Sequence, residues 1–209
     1  HRRRHSFPTR RSSDLMPQKN RDRFLENIRS ETARAERLIS RLLELSAVES
    51  KSHLDSVKEI DFCEVVRRAL VQAEPMAEIA RVSLEAHLPD QPMRVMGDSF
   101  VLRAAVTNLI ENAVDFSSAS AVVCIDVFAE KGEIVLTVDD RGPGIPDYAK
   151  DKVFDRFYSL RHHQSGRKGT GLGLNLVKEA VELHHGSIAL ANRPEGGARA
   201  TLRIPSMQE

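Results

Sequence analysis

The chain has 209 residues, 41% hydrophobic and 29% charged, which suits a globular protein with one full core and a smaller appendage and excludes a fibrous or wholly disordered polypeptide. Its 31 basic residues balance 30 acidic ones, so no global field draws it to nucleic acid or to an anionic membrane. No run approaches the roughly 18 apolar residues that span a bilayer, and the N-terminus lacks the apolar region of a signal peptide.

Residues 1–15, "HRRRHSFPTRRSSDL", hold five Arg and two His with only Phe7 and Leu15 as sizeable apolar groups. So little apolar surface predicts disorder. A basic arm for nucleic acid or lipid is one reading. The other is favoured: the stretch resembles a translated sequencing-adapter fragment, so it is expected to be a non-native leader with the true sequence beginning near Met16.

Residues 16–50 follow. From Asp22 to about Ser50 there is no Gly or Pro, and Ile28, Ala35, Leu38, Leu42 and Leu45 alternate in steps set by three and four, with Glu31 interrupting once. This predicts a long helix with a coiled-coil-like seam. Leu25, Ile39, Leu43 and Val48 widen the stripe, which suits a bundle helix seeking a partner helix better than a plain amphipathic surface helix. Residues 51–60 are polar and turn-rich and are expected to be a linker, with a second unit over 61–205 and a tail over 206–209.

In that unit Asp61 is a plausible N-cap for a helix over about 62–80, which Pro75 should bend or interrupt. "RVSLEAHLP" alternates as a half-buried strand, and "MRVMG" is a short second strand. Asp98 caps a helix running to about Phe116, and two strands flank a Lys131-Gly132 hairpin turn. A helix over about 148–157, the polar stretch "SLRHHQSGRKG", a helix over 172–184 and the strands "SIALAN" and "ARATLRI" complete the chain. The expected fold class is α/β, a two-layer sandwich of a mixed sheet of about five strands and roughly three helices, preceded by one long helix. Cys63 and Cys124, far apart and without metal-ligand or CxxC spacing, read as two small buried hydrophobes in a reducing compartment.

Three stretches carry candidate chemistry. In "TNLIENAVDFS", residues 107–117, Asn108, Glu111, Asn112 and Asp115 fall within about a 100° arc of one helix. A solvent-facing stripe is the plainer reading, but such stripes favour Lys, Glu and Arg, whereas carboxamide and carboxylate oxygens on one face suit Mg²⁺. "DDRGPGIP", residues 139–146, is either a surface turn or an Asp at a strand end that accepts from an exocyclic amine, with glycines admitting a flat ring. "GRKGTGLGLNLV", residues 166–177, places glycines at alternate positions as a helix begins, an anion cradle that is neither a Walker A loop nor a clean Rossmann fingerprint. In this order they describe one nucleotide site.

At these residues the sequence resembles the catalytic ATP-binding domain of sensor histidine kinases, whose fold is shared with gyrase-type and MutL-type ATPases and a heat-shock chaperone. "NLIENAVDFS" resembles the N box, "DDRGPGI" the G1 box, "VFDRFYSL" the F box, "GTGLGL" the G2 box, and Gly196-Gly197 a terminal glycine pair. "GIPDYAKDKVFDRFYSLR" is similar to the CreC-type branch of membrane sensor kinases.

The resemblance implies ATP and Mg²⁺ as cofactors. Asn112 would ligate the metal with Asn108 assisting, and Glu111 would organise metal-bound water. Asp140 would accept from the adenine amine in a pocket shaped by Gly142, Gly144 and Ile145. Gly169, Thr170, Gly171, Leu172 and Gly173 would contact phosphates, Phe154 and Phe157 would anchor a lid over about 158–168, and Lys168, Arg167 and Arg161 would be its cations.

It further implies that residues 22–50 are the second helix of a dimerisation and phosphoacceptor hairpin, that the chain forms a homodimer, and that a response regulator is its partner. This part would lie in the cytoplasm, and the parent protein would reach the bacterial inner membrane through N-terminal segments. Two departures stand out. Asp115 occupies a position where the family most often has Lys. No His in this chain is followed by an acid and Leu in a helical setting: His1, His5, His53, His87, His162, His163, His184 and His185 all lack the H-box context. The expectation is therefore an N-terminally truncated histidine protein kinase that binds ATP-Mg²⁺ without phosphorylating itself. A stand-alone ATPase of gyrase or MutL type and a noncatalytic dimerisation scaffold remain the alternatives.

Overall fold

The computed structural model describes residues 18–49, 57–160 and 169–207. The chain divides between Ser40 and Arg41 into two compact units. Helix α1, Gln18–Glu49, has 32 residues and no interruption. In its part before Arg41, Leu25, Ile28 and Ile39 are exposed and fall within about a 60° arc, an exposed apolar stripe among the described residues. The leader expected over 1–15 and most of the linker lie outside the described residues.

The second unit begins earlier than the linker reading predicts. Lys58–Asp61 is a strand, β1, paired antiparallel with β3, Arg94–Gly97. Only Ile60 of its four residues is apolar, so nothing in β1 itself announces a strand; β3 supplies the pairing. Asp61 then caps α2, Phe62–Ala80, accepting from the Cys63 N–H at 3.0 Å, and its same oxygen accepts from the Met93 N–H at 3.1 Å. Pro75 does not break α2. It sits on the exposed face, and the carbonyl it cannot bond belongs to Val71, which is also exposed, so the missing bond falls on the solvent side of the helix. Phe62, Val66, Ala69, Ala73 and Ala77 bury the opposite face.

The α/β expectation is correct. Strands β2 (Ser83–His87), β4 (Val122–Glu130), β5 (Glu133–Asp139), β6 (Ser187–Asn192) and β7 (Ala198–Pro205) form one sheet in the order β2-β4-β5-β7-β6. Only the β2–β4 pair is parallel, so the sheet is mixed. The strand "MRVMG" is present but belongs to the separate β1–β3 ribbon. Lys131 (φ 52°) and Gly132 (φ 80°) make the turn between β4 and β5, both in the left-handed region that a two-residue hairpin of this hand requires.

Helices α2, α3 (Ser99–Phe116) and α4 (Gly173–Leu183) pack side by side, and α3 and α4 lie on the sheet. Val123, Ile125, Ile134, Leu136 and Leu202 of the sheet meet Leu102, Val106, Leu109, Ile110, Val177 and Val181 of the helices in one core. Cys63 is buried in it, whereas Cys124 is only partly buried; both are free thiols. The helix expected over about 148–157 is absent. A single 3₁₀ turn, Asp147–Ala149, is followed by further turns, because only Ala149 and Val153 bury apolar groups there and two such residues cannot sustain helix propagation.

Two contacts fix the start of α3. The Asp98 carboxylate accepts from the Phe100 and Val101 N–H groups at 2.9 and 3.3 Å, and the Asp98 N–H donates to Nε2 of buried His184 at 3.0 Å. The Nδ1 of His184 in turn lies 2.7 Å from the Ala180 carbonyl and donates to it, so both ring nitrogens are used and the residue is structural. Asp98→Ala removes the cap and leaves the backbone bond to His184. It is expected to lower unfolding stability by about 1 kcal/mol, read as a drop in the urea midpoint at unchanged slope.

Candidate functional site

Helix α3 has two different faces. Leu109, Ile110, Ala113 and Val114 are buried in the core, while Asn108, Glu111, Asn112 and Asp115 share the opposite side. Asn108 is itself 98% buried, at 2% exposure, and its Nδ2 donates to the Ala104 carbonyl at 2.8 Å. That bond fixes the amide group, so Oδ1 points toward α4: a Cβ built on Gly173 would stand 2.8 Å from it. The Nδ2 of Asn112 is 3.6 Å from the same point and has no hydrogen-bond partner although buried. An orphaned buried amide beside an oriented carboxamide oxygen marks a place built for a polar ligand rather than for packing. Glu111 is partly buried and Asp115 exposed, and each already has an interaction partner.

The loop after β5 meets the other end of α3. A Cβ on Gly142 would fall 2.5 Å from the Phe116 carbonyl, so only glycine allows this approach. Asp139 and Asp140, adjacent in sequence, point to opposite faces of the strand. Asp139 is held by both arms of Arg199 at 2.6 and 2.5 Å and by Arg193 Nε at 3.3 Å. Asp140 faces the site. Its Oδ1 accepts from the Gly142 and Ala198 N–H groups at 2.8 and 3.0 Å, and its Oδ2 accepts nothing among the described residues.

Burial raises the pKa of Asp140 above its ordinary value, against the opposing pull of those two N–H donors and of Arg193. The folded chain therefore holds this proton more tightly than the unfolded chain does. The stability contribution is most favourable below the unfolded pKa and declines as pH rises through the folded one. A desolvated carboxylate oxygen without a donor is the feature a ligand N–H would satisfy.

The glycine run forms the third side. Gly171 is left-handed (φ 69°), and a Cβ there would strike the Phe157 backbone at 2.5 Å. The Phe157 N–H donates to the Gly171 carbonyl at 2.8 Å, and Phe157 is itself left-handed at φ 63°. Phe157 is 69% exposed, so it meets the glycine run through its backbone; most of the lid expected over about 158–168 lies outside the described residues. Phe154 is partly buried, and its carbonyl accepts from Nδ2 of buried Asn175 at 3.3 Å. No side chain caps α4, so the N–H groups of its first turn, those of Gly173, Leu174 and Asn175, make no intrahelical bond, the feature that suits an anion. Thr170 Oγ1 accepts from the Leu172 N–H at 3.3 Å and shapes this loop. Lys168, Arg167 and Arg161 lie outside the described residues.

The three motifs thus converge on α3, Gly173 at its middle and Gly142 at its end. No group of three His, Cys, Asp or Glu fit to hold a metal occurs among the described residues. Asn108 Oδ1 and the Asn112 carboxamide are hard donors, but too few for a closed cage; they fit a Mg²⁺ that keeps water and phosphate oxygens as its other ligands. Asn192 and Arg193 escaped the sequence reading. Asn192 bonds both backbone groups of Ile145, and Arg193 bonds the Asp140 carbonyl. Their only sequence signal is their place directly before the turn "PEGG".

Residues 97–208 match the family described as "Histidine kinase-, DNA gyrase B-, and HSP90-like ATPase", which is more than half of the chain. The chain belongs to that family. Within it the sequence falls with the sensor histidine kinases of the CreC-like branch. It is 33% identical over 182 residues to the sensor protein CreC of Escherichia coli K12, covering 87% of this chain and 38% of that protein. It is 34% identical over 184 residues to the sensor-like histidine kinase SenX3 of Mycolicibacterium smegmatis, covering 88% of this chain and 48% of that protein. The chain therefore spans less than half the length of these relatives. Among solved structures, the mycobacterial sensor histidine kinase MprB superposes with a TM-score of 0.64 at 27% identity, over 74% of this chain and all of that one.

The terminal glycine pair of this histidine-kinase-type ATPase domain separates two effects. Gly196 (φ 93°) and Gly197 (φ 84°) are both left-handed, but a Cβ on Gly196 meets nothing within 4 Å, whereas one on Gly197 would lie 2.2 Å from the Asp140 carbonyl. Gly196→Ala is expected to cost about 1 kcal/mol of backbone strain, and Gly197→Ala about 1–3 kcal/mol more, compared by urea denaturation.

Proposed function

We propose that this domain binds ATP with Mg²⁺ between α3, the loop at 140–145 and the glycine run at 169–173, as the nucleotide-binding part of a sensor histidine kinase. One observation carries the reading: Asp140 presents a partly buried, donor-free oxygen at the end of a glycine-lined loop. That is the acceptor an exocyclic adenine amine needs. Gly142, Gly144 and Ile145 border the base, Asn112 with Asn108 holds the metal, Glu111 orders its water, and Gly169, Thr170, Gly171, Leu172 and Gly173 direct N–H groups at phosphate. Mg²⁺ supplies charge neutralisation on the phosphates; the side chains supply position. Phosphoryl transfer asks little covalent chemistry of the protein and depends on alignment and electrostatics.

In the parent protein the γ-phosphoryl would pass to a histidine and then to an aspartate of a response regulator. No histidine among these 209 residues has the H-box setting, so the chain alone is proposed to bind ATP without phosphorylating itself. The gyrase-type and MutL-type families use a catalytic Glu on this helix where this chain has Asn108, which cannot accept a proton and whose amide is committed to the Ala104 carbonyl; this disfavours the hydrolytic alternative. The exposed stripe Leu25, Ile28 and Ile39 supports residues 22–50 as a dimerisation helix. Ile28→Asp is expected to shift the chain toward monomer in light scattering after size exclusion, without altering ATP affinity.

Calorimetry tests the site. ATP is expected to bind in a Mg²⁺-dependent manner, and Asp140→Asn to weaken it by about 10- to 100-fold, the scale of a hydrogen bond to a charged acceptor. Binding unaffected by this substitution would refute the assignment. The raised pKa gives the sign of the pH effect: a protonated Asp140 offers a donor where the amine needs an acceptor. Affinity should fall as pH drops through that pKa, with a proton released on binding in the same range.

A further inference from the structure

Both ends of the loop at 140–145 are gripped by one distant turn. At the far end, Asn192 lies at the terminus of β6. Its Oδ1 accepts from the Ile145 N–H at 2.6 Å, and its Nδ2 donates to the Ile145 carbonyl at 2.9 Å. A carboxamide is the side chain that can offer an acceptor and a donor side by side to one residue's backbone. At the near end, the neighbouring Arg193, whose side chain is only 14% exposed, donates to the Asp140 carbonyl at 3.0 Å and lies 3.3 Å from the Asp139 carboxylate. Across the same turn, the Arg193 N–H donates to the Gly197 carbonyl and the Ala198 N–H donates to Asp140 Oδ1, both at 3.0 Å.

Between these grips run Arg141, Gly142, Pro143 and Gly144, two of them glycines with the largest conformational freedom to lose. Gly144 is left-handed (φ 77°), and a Cβ there would stand 2.8 Å from Asn192 Oδ1. The loop is therefore closed down onto the carboxamide with no room for a longer side chain at 144. Without the clasp, the segment from Gly142 to Ile145 keeps one fixed end and one free end, and a ligand would have to order it on binding.

We infer that Asn192 is a positioning residue for the purine base: its two hydrogen bonds to Ile145 preorganise the loop that borders the base, and so set affinity and preference for adenine. The inference rests on the nucleotide reading above and extends it to a residue that touches no reacting atom. Since the clasp acts on the base end of the site, its loss should leave the phosphate and metal end unchanged.

The test uses the 209-residue chain with Asn192→Ala and Asn192→Asp, the latter keeping the acceptor and losing the donor. Amide exchange at Ile145 is read first, without nucleotide, together with thermal melting. Calorimetry then gives the affinities for ATP, ADP and GTP with and without Mg²⁺. Asn192→Ala is expected to speed exchange at Ile145 and to weaken ATP by about tenfold, the scale of two neutral hydrogen bonds. ADP should weaken by the same factor, the Mg²⁺ enhancement should stay as in the wild type, and the ATP-over-GTP preference should shrink. Asn192→Asp should fall between.

Exchange at Ile145 no faster than in the wild type would overturn the clasp. Faster exchange with ATP affinity and base preference unchanged would overturn the positioning role while leaving the nucleotide reading intact. A loss that follows the triphosphate or the metal instead of the base, or that only tracks the melting temperature, would also overturn it. A wild-type chain that binds no ATP would refute the nucleotide reading itself, and the role of Asn192 in binding with it.

Discussion

The close approach of backbone to α3 is the constraint on which the site depends. Two different loops come within reach of this helix only because the contacting residues lack a side chain: Gly142 under the Phe116 carbonyl and Gly173 beside Asn108 Oδ1. The helix can receive them because its own position is fixed from three sides. Asp98 and His184 hold its first turn, α2 and α4 flank it, and its apolar face is sunk against the sheet. A close-packed core transmits small displacements instead of absorbing them, so rigidity at Leu109 and Ile110 becomes precision at Asn108 and Asn112.

The same constraint explains why buried polar groups are tolerated here. Asn108 is inside the protein, where an unbonded carboxamide costs stability. Its donor is matched within its own helix and its acceptor faces the α4 terminus, so the residue is half satisfied by the fold. Asn112 is left with an unpaired amide. Asp140 follows the same pattern, one oxygen bonded twice and one bonded to nothing among the described residues. The fold thus settles the orientation of Asn108 and Asp140 and leaves part of the hydrogen-bonding capacity of all three groups open. The adjacent Asp139, with the same chemistry on the opposite face of the strand, is closed off completely by Arg199 and Arg193 and serves the sheet.

Much of this was legible in the sequence because it is local. Asp61 and Asp98 reveal their helices by the capping they perform, Lys131-Gly132 reveals its hairpin by backbone conformation, and the α3 stripe shows itself by the helical period. What was not legible depends on partners far along the chain. Strand β1 exists through β3, and Pro75 is harmless only because its helix face points outward. The segment at about 148–157 fails to be a helix because just two of its residues, Ala149 and Val153, bury apolar side chains. The glycine-rich boxes were visible as residues, but the group that fastens one of them, Asn192, carries no motif; its importance lies in reaching across 47 positions to a backbone.

That division bears on how such a domain accommodates change. Residues that would touch nucleotide sit on helix α3 and two glycine loops, whereas the residues that hold those loops sit on β6, the β6–β7 turn and α4. Asn175 bonds the Phe154 carbonyl from α4, just as Asn192 bonds Ile145 from β6. In each case a carboxamide on a regular element grips the backbone of an irregular one. Backbone bonds of this kind do not depend on the gripped residue's own side chain. The side chains of the two gripped residues, Phe154 and Ile145, can therefore vary with little effect on loop geometry, while the two asparagines cannot be exchanged for aliphatic residues without releasing it. Phe157 is held differently, by its own backbone N–H on the Gly171 carbonyl, while its side chain stays exposed.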